Sequence, residues 1–384
     1  MKILQIVKGL DIGGQFGGAE RFGVELGLQL KNMGHEVEIC AFFETGGHQE
    51  AEWKKRIEDA GLGLIILQPW RGGNQIGDFI LGIHKLNKAL RANPPTVVHS
   101  HFQLGSFAGI SLKKHLNVPV CIRTAHLASE WETGIIGRIK FALARHFYPR
   151  YLDIQTGVSQ EIVDRLSSDY KFSNRTLPPR LIYNAIILRN DDSSPIEPKN
   201  ENSFFTLGSV GRLSEQKGYS DLISALALAS ESIPNLRLIL IGDGELRESL
   251  ESKAMSLGIE DKVFFVGKVN NVSDYLRQMD LFISSSLWEG LPTVIMEAML
   301  AGVPVVGTSI PGTTDLITAG VNGWLAPSGN PELLSQEIVK AVQDPVQQQK
   351  FKDAARKSVE EFSLERIAEK YELLYKEILS TKQH

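Results

Sequence analysis

The chain has 384 residues, enough for two domains each with its own core. Its 42% hydrophobic and 22% charged residues match an ordinary globular protein, and the lack of any eighteen-residue apolar run excludes a spanning helix. The formal net charge of −4 conceals an asymmetry, because between Asp78 and Asp153 stand ten lysines and arginines but only two acids, Glu130 and Glu132. That stretch is either a basic solvated face or the side that meets an anionic partner.

In chain order, MKILQIVKGLDIGG is too short in its apolar part for a secretory leader and is expected to be a first buried strand. EVEICAFF, GLIILQ, TVVHSH, PVCIRTAH and DIQTGVS follow as further short runs rich in β-branched residues. Helical stretches separate several of them; AERFGVELGLQLKNMG is one, with Gly34 as its stop. Strands apolar throughout and separated by helices predict a parallel sheet covered on both faces. The two cysteines, Cys40 and Cys121, lie inside such runs and form no disulfide framework, which points to a reducing cytoplasm.

The pattern breaks at NAIILRNDDSSPIEPKNENS, polar and punctuated by proline, with a linker expected over 191–203 between a domain at 1–190 and another at 204–363. Alternation resumes with FFTLGSVGRL, LRLILIGDG, KVFFVGKV, LFISSS and VPVVGTS, with helices between them. The tail at 364–384 contains the amphipathic LERIAEKYELLYKEIL. The fold class is therefore α/β, two doubly wound Rossmann-like domains facing across a cleft, where such sheets bind ligands beyond their C-terminal strand ends.

The segment WEGLPTVIMEAMLAGVPVV holds two glutamates, Glu289 and Glu297, eight positions apart across a Gly-Leu-Pro turn. A helix is expected from Pro292 to Ala301, with Glu289 in the loop ahead of it and Glu297 on its second turn. The amides of Gly290, Leu291, Thr293 and Val294 then form an anion-ready helix start suited to a phosphate. Acids on both sides of a phosphate fit a ligand with a hydroxyl-rich sugar at either end; otherwise they are a loop acid and a helix-surface acid. Arg212 and Lys217, in GSVGRLSEQKGYSDLISAL, sit on a strand-end loop of the same domain and have the charge to neutralise a diphosphate.

GGQFGGAER opens the first helix, but its glycine spacing misses the dinucleotide fingerprint, so nicotinamide binding is disfavoured. Among the histidines His99, His101 and His126, His126 at a strand end with Arg123 nearby is the better candidate for the cleft. No D-x-D pair or Cys/His spacing offers metal ligands, so no metal is expected.

Taken together, GGAER, TAH, VGRLSEQKGYSDLISAL, LILIGDGELR, VFFVGKV and EGLPTVIMEAMLAGVPVV resemble the retaining glycosyltransferases of family 4, which have the GT-B fold. The resemblance covers nearly the whole chain and is most specific in its C-terminal half. It implies a nucleoside diphosphate sugar, UDP- or GDP-linked, as donor substrate, with no cofactor, and a hexose moved with retention and without metal. It implies Arg212 and Lys217 on the diphosphate beside the Thr293 and Val294 amides, and Glu297 on the ribose. Glu289 would face the transferred sugar beside Gly290 and Leu291, Val269 the base, Gly18 the phosphates and His126 the sugar. The resemblance also implies that the tail helix crosses back onto the first domain. The leucine of EGLP stands where many relatives carry an aromatic, which bears on sugar choice.

The acceptor is expected to be a lipid-linked or saccharide precursor of cell-envelope or exopolysaccharide synthesis, with no nucleic acid as partner. The enzyme is expected in the cytoplasm, with the basic 79–152 region touching an anionic membrane at its inner face. The rival readings are a nucleotide-sugar 2-epimerase and an inactive sugar-nucleotide binder.

Overall fold

A computed structural model gives the fold and describes residues 1–12, 16–72, 76–127, 135–170, 176–186, 204–269 and 271–382. The segment expected as a linker, 191–203, lies outside the described residues, as do Glu130 and Glu132. The chain divides into two compact units, one built from Met1–Ala185 with Leu364–His384, the other from Ile186–Ser363.

The first unit carries strands β1 (Lys2–Gly9), β2 (Glu36–Glu44), β3 (Gly63–Pro69), β4 (Val97–Ser100), β5 (Val120–Ala125), β6 (Ile154–Gly157) and β7 (Arg180–Leu181). They form one parallel sheet in the order β3-β2-β1-β4-β5-β6-β7. The four residues of β4, the six of β5 and the four of β6 are buried throughout, which is why their sequences lack the alternation of a half-exposed strand. The helix Gly18–Asn32 ends with Gly34 at φ 88°, the left-handed position that a β-carbon disfavours.

The C-terminal helix, Leu364–Thr381, belongs to this unit's core. Ile367, Ala368, Tyr371, Leu374, Tyr375 and Ile378 pack against β1, β2 and the helix Gly18–Asn32 in a single apolar cluster. Their spacing of three and four places them on one helical stripe.

The second unit repeats the plan with β8 (Phe205–Val210), β9 (Leu236–Ile241), β10 (Val263–Gly267), β11 (Leu281–Ser284), β12 (Val305–Thr308) and β13 (Trp324–Ala326). These strands too are parallel, in the order β10-β9-β8-β11-β12-β13. In both sheets the order reverses direction beside the first strand, between β1 and β4 and between β8 and β11. At such a switch point neighbouring loops diverge to opposite faces and leave a crevice. Both cysteines are buried and free, and among the described residues no helix is long and apolar enough to cross a membrane.

Ile367 is fully buried in the first unit, so Ile367→Ala should cost about 2–5 kcal/mol. Urea denaturation followed by circular dichroism, with the wild type alongside, measures that loss.

Candidate functional site

The loops that leave β8 and β11 flank the switch point of the second sheet and carry most of the expected site. After β8 the chain makes a 3-10 turn, Glu215–Lys217, closed by Gly218 at φ 61°. A β-carbon on Gly218 would lie 2.1 Å from the carbonyl oxygen of Ser285, so only glycine permits this approach. The two loops are then laced together. Leu287 N–H donates to the Gln216 carbonyl at 2.8 Å, and the Ser285 hydroxyl donates to the Lys217 carbonyl at 2.8 Å.

This lacing sets Lys217 against Glu289, with Nζ 2.5 Å from Oε1. The Glu289 side chain is 8% exposed and that of Lys217 19%. The Ser286 hydroxyl donates to the same carboxylate oxygen at 2.8 Å, and the Gln216 amide reaches the other at 3.3 Å. Two ions this far out of water are tolerated because each has the other and the carboxylate has further donors. Ser286 and Gln216 were not singled out in the sequence. The run of serines closing β11 could have signalled Ser286, since hydroxyls at a strand end beside a switch point can face the crevice; nothing local marks Gln216.

Downstream, the helix Thr293–Leu300 begins one residue later than expected, with Pro292 as its N-cap. The ψ of 90° at Pro292 keeps that residue outside the helix. No side chain caps this end and its first turn holds no acid. Among the described residues, the amides of Gly290, Leu291, Thr293 and Val294 donate to no partner, while that of Ile295 donates to the Pro292 carbonyl at 3.0 Å. Glu297 lies half-buried on the second turn of this helix.

Arg212 takes a different direction. Its side chain is 74% exposed and its Nε lies 3.1 Å from Glu245, on the turn after β9. The two cations expected to act together are thus each matched to a separate carboxylate, Lys217 to Glu289 and Arg212 to Glu245. The Glu245 carboxyl is held below its ordinary range, first by a backbone hydrogen bond and then by Arg212. Val269 is half-buried just past β10.

In the first unit Gly18 is the first residue of its helix, and a β-carbon there would meet no described atom within 4 Å. Packing among the described residues therefore does not account for a glycine at this position. The Gly17 amide donates to the Glu20 carboxylate at 3.1 Å, and burial pushes the Glu20 carboxyl up.

His126 is half-buried at the end of β5, with Nε2 3.4 Å from Nδ1 of His101. His101 in turn lies 2.7 Å from the Gln5 side-chain oxygen, and the His99 ring lies 4.3 Å from its own ring, tilted by 40°. His99 is 2.8 Å from the Tyr375 hydroxyl and 2.7 Å from that of Thr124, which also meets Thr156 and Tyr371. Arg123, read from sequence as a neighbour of the cleft histidine, is fully buried; it donates to Gln155 at 2.7 Å and stacks over Tyr148. The tyrosines come from the C-terminal helix, and nothing local in the sequence signals their meeting with His99. Burial pushes His99 and His126 down to about 3, with His126 opposing His99 and Arg123 opposing His126. Burial, then the neighbouring imidazoles, holds His101 well below its ordinary value. Among the described residues no cluster of His, Cys, Asp or Glu is arranged to hold a metal ion.

The family model described as glycosyl transferases group 1 matches residues 190–358, and the one described as glycosyltransferase family 4 matches residues 16–189. The chain belongs to the family 4 glycosyltransferases.

An uncharacterised glycosyltransferase of Methanocaldococcus jannaschii is 32% identical to this glycosyltransferase over 46% of the chain and 45% of its own length. The lipopolysaccharide core biosynthesis glycosyltransferase LpsE of Rhizobium meliloti is 34% identical over 42% of the chain and 47% of its own length. The matched region thus spans about half the length of these two relatives. Anabaena HepE, crystallised with UDP-glucose, is similar with a TM-score of 0.79 and 21% identity, covering 99% of this chain and 100% of that one. That likeness shows the GT-B fold.

Two expectations follow from the geometry. Gly218→Ala should destabilise by about 2–4 kcal/mol, from left-handed strain and the carbonyl clash together, as read by urea denaturation. The second concerns pH. An imidazole whose folded pKa lies below its unfolded 6.5 keeps its full stability above 6.5 and loses it as pH falls toward the folded value. Lowering pH from 7 to 5 should therefore cost about 2 kcal/mol for each of the buried His99 and His101, measured by denaturation at both pH values.

Proposed function

We propose that this glycosyltransferase moves a hexose-type sugar from a nucleoside diphosphate sugar to an acceptor, with retention at the anomeric carbon and without a metal ion. The acceptor is a lipid-linked or saccharide precursor of envelope polysaccharide. The observation that carries the reading is the clamped Lys217–Glu289 pair beside the uncapped start of the helix Thr293–Leu300.

Departure of a nucleoside diphosphate leaves negative charge on its phosphate oxygens, and catalysis consists largely of stabilising that charge. The amides of Thr293 and Val294 offer fixed donors that need no reorganisation, and the helix dipole adds to them. Lys217 supplies a positive charge at the same end of the sheet, and Arg212 a second on an exposed, movable arm. Glu297 accepts the ribose hydroxyls, and Val269 borders the base. The phosphate contact expected of Gly18 and the sugar contact expected of His126 are part of the same proposal.

Glu289 is best suited to orienting the sugar. Both of its oxygens are engaged, one by Lys217 and Ser286 and the other by Gln216, which fixes the carboxylate plane and lowers its nucleophilicity. A carboxylate so held keeps one lone pair on Oε2 to accept a hydrogen bond from a sugar hydroxyl, with the Gly290 and Leu291 amides beside it. The UDP-glucose bound to HepE and the lipopolysaccharide core role named for LpsE support the choice of donor and acceptor class.

The test is incubation with a panel of UDP- and GDP-sugars, with and without lipid-linked acceptors, while nucleoside diphosphate release is followed. The anomeric configuration of the product is read by NMR. Release is expected to fall about a hundredfold in Arg212→Ala, which removes one donor to the leaving diphosphate, and by a similar factor in Glu289→Gln, which removes the charged acceptor that orients the sugar and pairs with Lys217. Turnover unchanged in either variant overturns that residue's assignment.

A further inference from the structure

The basic stretch of the first unit is not absorbed by the transfer chemistry. Its centre is the helix Ile135–Tyr151, which contains no acidic residue. Gly137, Ala144 and Tyr148 face inward. The outward stripe carries Ile135, Ile139 and Leu143, at 77%, 55% and 46% exposure, successive at every fourth position. Arg138, Arg145 and Arg150 are exposed on the same helix. Aliphatic residues left in water at this spacing cost free energy unless something covers them.

The helix Gln103–Leu116 packs beside this one and beside the helix Ile76–Leu90, so all three lie side by side in the first unit. The last repeats the pattern, with Ile80 and Leu81 at 63% and 48% exposure and Lys88 exposed two turns on. Aliphatic and cationic groups are thus interleaved on neighbouring helices of one unit. A nucleic acid would satisfy the cations but leave the aliphatic stripe in water. A bilayer surface of anionic lipids satisfies both, since side chains sink to the acyl boundary while guanidinium groups meet the headgroup phosphates.

We propose that the outward face of the helix Ile135–Tyr151 docks this protein on an anionic lipid surface, with Ile135, Ile139 and Leu143 inserted and the arginines at the headgroups. The proposal stands apart from the transfer reading, because it needs neither donor nor acceptor.

Flotation of the full-length protein with vesicles tests it, comparing phosphatidylcholine alone with phosphatidylcholine containing about 30% phosphatidylglycerol. Binding is expected to the anionic vesicles and not to the neutral ones, and to weaken with added salt. The double substitution Ile139→Asp with Leu143→Asp should reduce it by more than about tenfold. Arg138→Glu and Arg145→Glu should each reduce it about fivefold or more. Circular dichroism and nucleoside diphosphate release in the absence of vesicles should stay at wild-type levels, which separates lost docking from lost folding. Equal flotation with both vesicle types, no flotation of the wild type, or full binding by the aspartate variant overturns the proposal.

Discussion

A lysine and a glutamate 2.5 Å apart, both mostly removed from water, fix the geometry of the second unit's loops. Burying either charge alone would cost several kcal/mol, so each residue holds the other in place and the pair adds to the hydrogen bonds that tie the loops after β8 and β11 together. The approach is made possible by the missing side chain of Gly218, which lets one loop's backbone rest on the carbonyl of Ser285. Ser286 and Gln216 donate to the same carboxylate and leave one of its four lone pairs open. The uncapped helix start lies at the end of the same loop, so a rigid anchor and an open anion site are delivered together. A ligand bringing phosphate and hydroxyl groups meets donors and acceptors already oriented, which limits the reorganisation needed during reaction.

The first unit relies on a different arrangement, polar and uncharged. Three imidazoles lie in file from β4 to the end of β5, joined to hydroxyls of Thr124, Thr156, Tyr371 and Tyr375. Keeping them neutral avoids adding imidazolium charges, two of them fully buried, to a unit that already buries Arg123. A network of this kind specifies one arrangement of strand and helix, since a slipped register would leave several polar groups without partners.

Much of this was legible in the sequence. Unbroken apolar runs announced buried parallel strands, and the Gly-Leu-Pro turn announced the helix that Glu289 precedes and Glu297 rides. Family membership, too, was carried by motif order. The pairing of Lys217 with Glu289 was not legible, because a list of charged residues does not reveal which will meet across a switch point 72 positions apart. The burial of Arg123 was not legible, because a guanidinium normally signals solvent; here Gln155 and the face of Tyr148 take its place. The three residues of β13 gave too brief an apolar run to register. The helices that follow it carried clearer marks, Asn330 and Asp344 each capping an amide three residues on, just ahead of a proline.

The return of Leu364–Thr381 to the first unit gives the chain an unusual order of completion. Residues 1–185 leave the ribosome long before the helix that covers Ile3, Val7 and Val37 has been synthesised. Until then that apolar surface and the hydroxyl partners of His99 await their cover, while the second unit, continuous in sequence, already has all its strands. During synthesis the nascent first half is therefore the aggregation-sensitive part, and a truncation that removes Leu364–Thr381 uncovers the core of the N-terminal unit.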